Sequence, residues 1–267
     1  MASPVMAPAP PNAETATTQK TATLRIWRGD LQGGKFEDYA TPVSEGMVVL
    51  DAVHEVQARQ ANDLAVRWNC KAGKCGSCSA EINGKPALMC MTQMAHLPID
   101  QPVVIEPMRS FPLVKDLVTD VSWNYRVKKR IQAFQPRPPD APDGTWRMGQ
   151  ADVDRVQEFR KCIECFLCQD VCHVLRDHQK HDEFIGPRFL VHVAALEMHP
   201  LDRADRLEEL KEAFGIGLCN ITKCCTKVCP EGITITDNAI IPLKERVVDK
   251  FYDPVLGLLR LLGLRRK

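Results

Sequence analysis

In Leu24-Arg25-Ile26-Trp27 aliphatic residues take every second position, the period of a strand with one buried face. From Val49 to Arg59 the period becomes helical, with Val49, Ala52, Val53 and Val56 on one face. Two short segments, Ala80–Ile82 and Ala87–Met89, flank Asn83-Gly84, a dipeptide that favours a tight hairpin turn. Residues 103–105 predict a further strand, stopped by Pro107. Residues 21–125 thus read as a small mixed sheet with one main helix.

The pattern breaks at residues 135–144, QPRPPDAPDG, where four prolines in ten residues can neither extend a helix nor sit inside a sheet. We take 126–150 as a linker. From Asp152 the chain turns helical, giving a second domain over 151–250. One predicted helix opens at Gly186-Pro187 and carries Ala194, Leu196 and Met198. A second carries Leu207, Leu210 and Phe214, and a third runs over 238–250. Residues 251–267 end in VLGLLRLLGLRRK, an amphipathic basic tail that reads as a helix docked on a partner subunit, with a membrane surface as the alternative. Residues 1–20, rich in Ala, Pro and Thr, read as a disordered arm without a signal peptide. No window has the roughly 20 apolar residues that span a bilayer.

Composition narrows the function. Hydrophobic residues make up 45% of the 267, enough for packed cores, and the net charge of +1 offers no basic footprint for nucleic acid. The twelve cysteines stand in three groups at metal-ligand spacing, which argues for a reducing compartment rather than disulfides.

The first group, Cys70, Cys75, Cys78 and Cys90, opens with C-x4-C-x2-C, the plant-type [2Fe–2S] signature. Gly73 and Gly76 in this loop let backbone amides approach cluster sulfurs. Zinc also accepts four thiolates, but a glycine-rich loop with one remote cysteine fits paired zinc knuckles poorly. The second group, Cys162, Cys165, Cys168 and Cys172, is C-x2-C-x2-C-x3-C, the bacterial ferredoxin run. In two-cluster ferredoxins that run occurs twice, and the last cysteine of each serves the other cluster. Laid on the third group, the template asks for cysteines at 219, 222, 225 and 229, and position 222 is Thr222. Cys162, Cys165, Cys168 and Cys229 then complete a [4Fe–4S] cluster. Cys172, Cys219 and Cys225 are left to hold a [3Fe–4S]. Cys224 reads as a spare packed thiol; the rival reading makes it the fourth ligand of a second [4Fe–4S].

The fold class is therefore α+β, an N-terminal β-grasp plant-type ferredoxin domain followed by an all-α bacterial-ferredoxin-like domain. A self-contained radical enzyme would need C-x3-C-x2-C, which is absent, and a structural metal protein has no use for three clusters. No G-x-G-x-x-G follows a strand, so neither flavin nor dinucleotide is expected on this chain, and it carries no catalytic residue of its own.

The domain order, the x11 spacing before Cys90, the segment Phe184-Ile185-Gly186-Pro187 and Cys225-x3-Cys229-Pro230 with Gly232 resemble the iron–sulfur subunit of succinate dehydrogenase and fumarate reductase. The resemblance covers residues 21–250. It implies an electron-transfer subunit of a succinate:quinone oxidoreductase, with the three clusters between an FAD-containing flavoprotein and membrane anchor subunits. A fumarate reductase or another flavin-linked dehydrogenase is the alternative. It also implies a peripheral position on the cytoplasmic face of the bacterial inner membrane, held by the anchor. The family's quinone-side Pro, Trp and His are replaced here by His173, Asp177 and Asn220. The expectation is that quinone binds farther off in the anchor, reached through another carrier there, the alternative being a pocket rebuilt from these three. His173 is also placed to tune a cluster by hydrogen bonding or to meet a partner. His178 and His181, and Lys128, Lys129 and Arg130, read as polar surface. Lys71 and Lys74 flank the first cysteines as solvated charges or as an offset to cluster charge.

Overall fold

The computed structural model describes residues 20–261. Most of the N-terminal arm, residues 1–19, and the end of the tail, 262–267, lie outside the described residues.

The N-terminal half is a five-stranded sheet. Strands β1 (Lys20–Asp30) and β2 (Gly33–Val43) form a long antiparallel hairpin, and helix α1 (Val49–Arg59) follows. Strands β3 (Ser79–Ile82) and β4 (Lys85–Leu88) form a second hairpin, closed by Asn83 and Gly84 at φ 48° and 73°, the left-handed pair a tight turn requires. Strand β5 (Val103–Glu106) enters the middle, parallel to β1 and antiparallel to β3, so the order is β2-β1-β5-β3-β4. Leu24 and Ile26 of β1 lie opposite Val103 and Ile105 of β5, and all four are buried. Val49, Ala52, Val53 and Val56 of α1, together with Leu50, complete that core. A small hairpin, β6 (Leu113–Lys115) and β7 (Val118–Thr119), ends the β-rich half.

Helix α2 (Ser122–Arg130) comes next, and its Val127 and the following Ile131 pack in the core of the helical half. The proline-rich segment that follows is tied down. The guanidinium of Arg206, fully buried, donates to the carbonyls of Gln132 at 2.8 Å and Ala133 at 2.9 Å and to Asp202 at 2.8 Å. Pro136 forms an isolated bridge with Asp202. The helical half comprises α3 (Gln150–Gln157), α4 (Leu167–Asp170), α5 (His173–Arg176), α6 (Gly186–Glu197), α7 (Leu207–Glu212), α8 (Cys224–Lys227), α9 (Ile241–Phe251) and α10 (Pro254–Leu261). A π-helical turn over Ile235–Ile240 leads into α9, earlier than the start expected at 238. Pro242 lacks an amide and would crowd the carbonyl four residues back, and a widened turn relieves both problems. Helix α7 stops short of Phe214, which is nevertheless buried.

The two cores interlock. Met108 and Phe111, just after β5, belong to the helical core, while Cys165 and Leu167 of the helical half belong to the core beneath the sheet. Among the described residues no helix is long and apolar enough to cross a membrane.

Candidate metal centres

The first centre sits between α1 and β3. Cys70 is exposed, Cys75 half-buried, and Cys78 and Cys90 are buried. Left-handed turns at Lys71, Gly73 and Gly76 curl the loop so that amides face sulfur. The amides of Ala72 and Lys74 lie 3.4 and 3.3 Å from the Cys70 Sγ, and that of Ser77 lies 3.5 Å from the Cys75 Sγ. Burial opposes ionisation of Cys75, yet hydrogen bonds from Ser77 and Cys70 bring its thiol down to about 6. Burial pushes Cys78 up to about 12. Lys74 reaches across to Glu231 at 3.1 Å, and Lys71 lies over the Trp68 ring.

At the second centre Cys162, Cys165, Cys168 and Cys229 line one hollow of about 380 Å³, walled by Ile163, Phe166, Val191, Ile233 and Ile235. Left-handed residues Glu164 and Phe166 bend the chain between the first three cysteines. Burial raises Cys162, Cys165 (to about 12) and Cys168, and the negative charge of neighbouring cysteines disfavours each thiolate further. Thiols buried in such an apolar wall would give up their protons to a cationic iron centre that neutralises the thiolates. The donor set and the hollow therefore fit a four-thiolate cluster. Arg188 of α6 also lines the hollow; its guanidinium pairs with Glu164 at 2.5 Å, and Glu164 with Lys128 at 2.6 Å.

The third centre is a hollow of about 300 Å³ lined by Cys172, Cys219, Cys224 and Cys225, with His173, Ile221, Thr222 and Thr236. Burial pushes Cys172 up to about 11. Cys225 is raised as well, by its hydrogen bond to Cys224 and by burial, and its Sγ lies 3.5 Å from the Thr236 hydroxyl. His173 reaches this hollow, whereas Asp177 and Asn220 are exposed and do not line it. His181 lies 2.9 Å from the Ser110 carbonyl and edge-on to Trp123, while His178 is exposed near His173.

The centres adjoin one another. A Cβ on Gly76 would stand 2.6 Å from the Cys165 Cα, so the first loop touches the second centre backbone to backbone. The Ser79 hydroxyl bridges the same gap, 2.9 Å from the carbonyls of both Gly76 and Cys165. The second and third centres adjoin where α4 and α8 pack together: α4 carries Cys168 and is followed by Cys172, α8 carries Cys224 and Cys225 and is followed by Cys229, and charge on Cys168 acts on Cys225.

Sequence reasoning missed Arg188 and a buried acidic pair, Glu81 and Asp170, that lies between the halves. The available signal was a lone charge inside an apolar run, at Arg188 in GPRFLVHVAAL and at Glu81 in SAEI.

Residues 23–125 match the 2Fe-2S iron-sulfur cluster binding domain and residues 158–233 the 4Fe-4S dicluster domain. The fumarate reductase iron-sulfur subunit of Mycobacterium tuberculosis is 33% identical over 203 residues, 74% of this chain and 80% of that protein. The succinate dehydrogenase iron-sulfur subunit of Bacillus subtilis is 30% identical over 236 residues, 82% of this chain and 89% of that one. A chain from the solved Mycobacterium smegmatis Sdh1 complex in the apo form is 59% identical with a TM-score of 0.85, covering 89% of this chain and 100% of its own length. The chain belongs to the iron–sulfur subunits of succinate dehydrogenases and fumarate reductases.

Proposed function

We propose that this chain is the electron-relay subunit of a succinate:quinone oxidoreductase, seated between an FAD-containing flavoprotein and a membrane anchor. The observation that carries the reading is contiguity: three thiol-lined centres adjoin in turn, through Gly76 and Cys165 and then through Cys168 and Cys225. In this reading Cys70, Cys75, Cys78 and Cys90 hold a [2Fe–2S] cluster, Cys162, Cys165, Cys168 and Cys229 a [4Fe–4S], and Cys172, Cys219 and Cys225 a [3Fe–4S]. When bound, the clusters supply one-electron relay from flavin toward quinone.

The residues around each centre suit a direction across the subunit. Exposed Trp68, Cys70 and Met91 form the side that faces the flavoprotein. Leu218 and Ile221, exposed beside the third hollow, face the anchor and hold the subunit on the cytoplasmic side of the inner membrane. Exposed Asp177 and Asn220 do not enclose a pocket with His173, which supports a quinone bound farther into the anchor and reached through another carrier there. A quinone in contact with His173 or Asn220 in a structure of the complex overturns that last step.

Low-temperature EPR of the complex isolated through this subunit tests the reading. The air-oxidised sample should show a 3Fe signal, and succinate should abolish it while a [2Fe–2S] signal appears. A 3Fe signal untouched by succinate moves the relay to another flavin-linked dehydrogenase, fumarate reductase included. Absence of a 3Fe signal removes the three-thiolate assignment.

A further inference from the structure

The third hollow has one thiol more than an open three-iron cluster uses. We propose that Cys224 is a latent fourth ligand, able to take a ferrous ion at the open corner and convert the [3Fe–4S] site to a [4Fe–4S]. The inference rests on the ligand reading proposed above.

Adjacent cysteines ordinarily point apart, but here Ile221 and Lys223 are both left-handed, at φ 62° and 60°, and Cys224 and Cys225 both line the hollow. The Cys224 sulfur is within hydrogen-bonding reach of the Cys225 thiol, and its charge also acts on Cys172. Position 222 is where the two-cluster template places its fourth cysteine. The Thr222 hydroxyl donates to the Cys224 Sγ at 3.3 Å, so this thiol sits one hydrogen bond from the vacant template position. Thr222 itself offers only a neutral hydroxyl, a poor ligand for iron beside a thiolate.

The step balances without an electron. Cys224 releases its thiol proton to solvent and forms one iron–sulfur bond. The reduced open cluster, [3Fe–4S] with zero core charge, plus Fe²⁺ gives [4Fe–4S]²⁺, so the core gains only the charge of the added ion. The co-reactant is free ferrous iron; in the reverse step the Cys224–iron bond breaks, Fe²⁺ leaves and the thiolate takes up a proton, and loss of one electron from the resulting [3Fe–4S]⁰ core to the next carrier of the relay then holds the open form. Reduced conditions with available iron thus favour four-thiolate ligation at the exit of the relay, and oxidation restores three.

The test uses the purified complex. It is reduced anaerobically with dithionite, incubated with isotopically labelled Fe²⁺, desalted, brought anaerobically and briefly to a potential that oxidises any unconverted [3Fe–4S]⁰ but leaves [4Fe–4S]²⁺ intact, and frozen at once for EPR, beside a control without added iron. Wild type should lose the 3Fe signal and retain labelled iron, while Cys224→Ala keeps the signal and washes free of label. The [2Fe–2S] signal certifies each sample, and Cys224→Ser serves if the alanine variant does not assemble. A 3Fe signal that persists in wild type overturns the proposal, as does equal loss in wild type and variant. A complex with no 3Fe signal before iron is added fails the underlying ligand reading instead.

Discussion

Arg188 puts a buried cation against the second hollow. Its side chain is 6% exposed, and its Nε has no partner among the described residues. Its charge favours the thiolate forms of Cys162 and Cys168. A four-thiolate cluster is anionic and gains another negative charge on reduction, so a fixed cation favours the reduced state and raises the potential. At an effective dielectric near 20, a unit charge at roughly 7 Å is worth about 2 kcal/mol. Glu164 cancels part of this. The remainder is on the order of 50 mV, since about 60 mV corresponds to 1.4 kcal/mol in a one-electron couple. Arg188→Gln should lower the [4Fe–4S] midpoint by that amount in an EPR-monitored redox titration, and Arg188→Lys should restore most of it. Equal midpoints in all three proteins refute the role. One turn along α6, burial and then the charges of Arg188 and Lys128 depress His192 to about 4, so it stays neutral at working pH and leaves Arg188 the nearby cation on that helix.

At the level of elements, the loop preceding β3 is held against the second centre by the absence of a side chain at Gly76. Alanine there meets the Cys165 backbone at 2.6 Å in a left-handed conformation, φ 67°. Gly46, at φ 75° with open space around its Cβ position, supplies a control with the same backbone demand and no contact. The left-handed backbone alone costs about 1–2 kcal/mol. Gly46→Ala should show that loss in thermal unfolding. Gly76→Ala should lose more and should also weaken the magnetic coupling between the first two clusters. Equal losses with unchanged coupling dispose of the contact. Such contacts mark the limit of what the chain discloses before folding. Leu24 and Ile26, the α1 stripe, the Asn83-Gly84 turn and the Gly186-Pro187 opening were legible because each is a local pattern matched to a local geometry. The cysteine groups were legible for the same reason. Periodicity says that a face is buried and not what covers it. It therefore left Val127 and Ile131 in a linker, although they pack into the helical core, and gave no sign that Cys165 and Leu167 would lie under the sheet.

Across the whole molecule, a buried charge cluster joins the two halves. Glu81 of β3, 0% exposed, receives Arg176 of α5 at 3.0 Å and Arg109 at 3.4 Å. Asp170 of α4 accepts the Ser110 amide at 3.0 Å and lies beside Glu81. Two carboxylates in so dry a place cannot both stay ionised without loss of stability. Burial, followed by the charge of Glu81, lifts Asp170 to about 7 against the hydrogen bond from Ser110 and the charge of Arg176. The folded protein thus keeps a proton that the unfolded chain releases from about pH 4 upward. Its contribution to stability is present at low pH and fades as pH rises through about 7. Asp170→Asn keeps the shape and fixes the neutral form. In thermal unfolding of the cluster-loaded protein from mildly acidic to mildly alkaline pH, wild type should lose midpoint as pH rises, while Asp170→Asn holds a flatter profile and gains on wild type at the alkaline end. Parallel profiles mean that no shared proton exists at the interface. A flattened profile in Asp170→Asn, absent from a variant of exposed Asp177, ties the effect to the seam that holds the first two centres in contact.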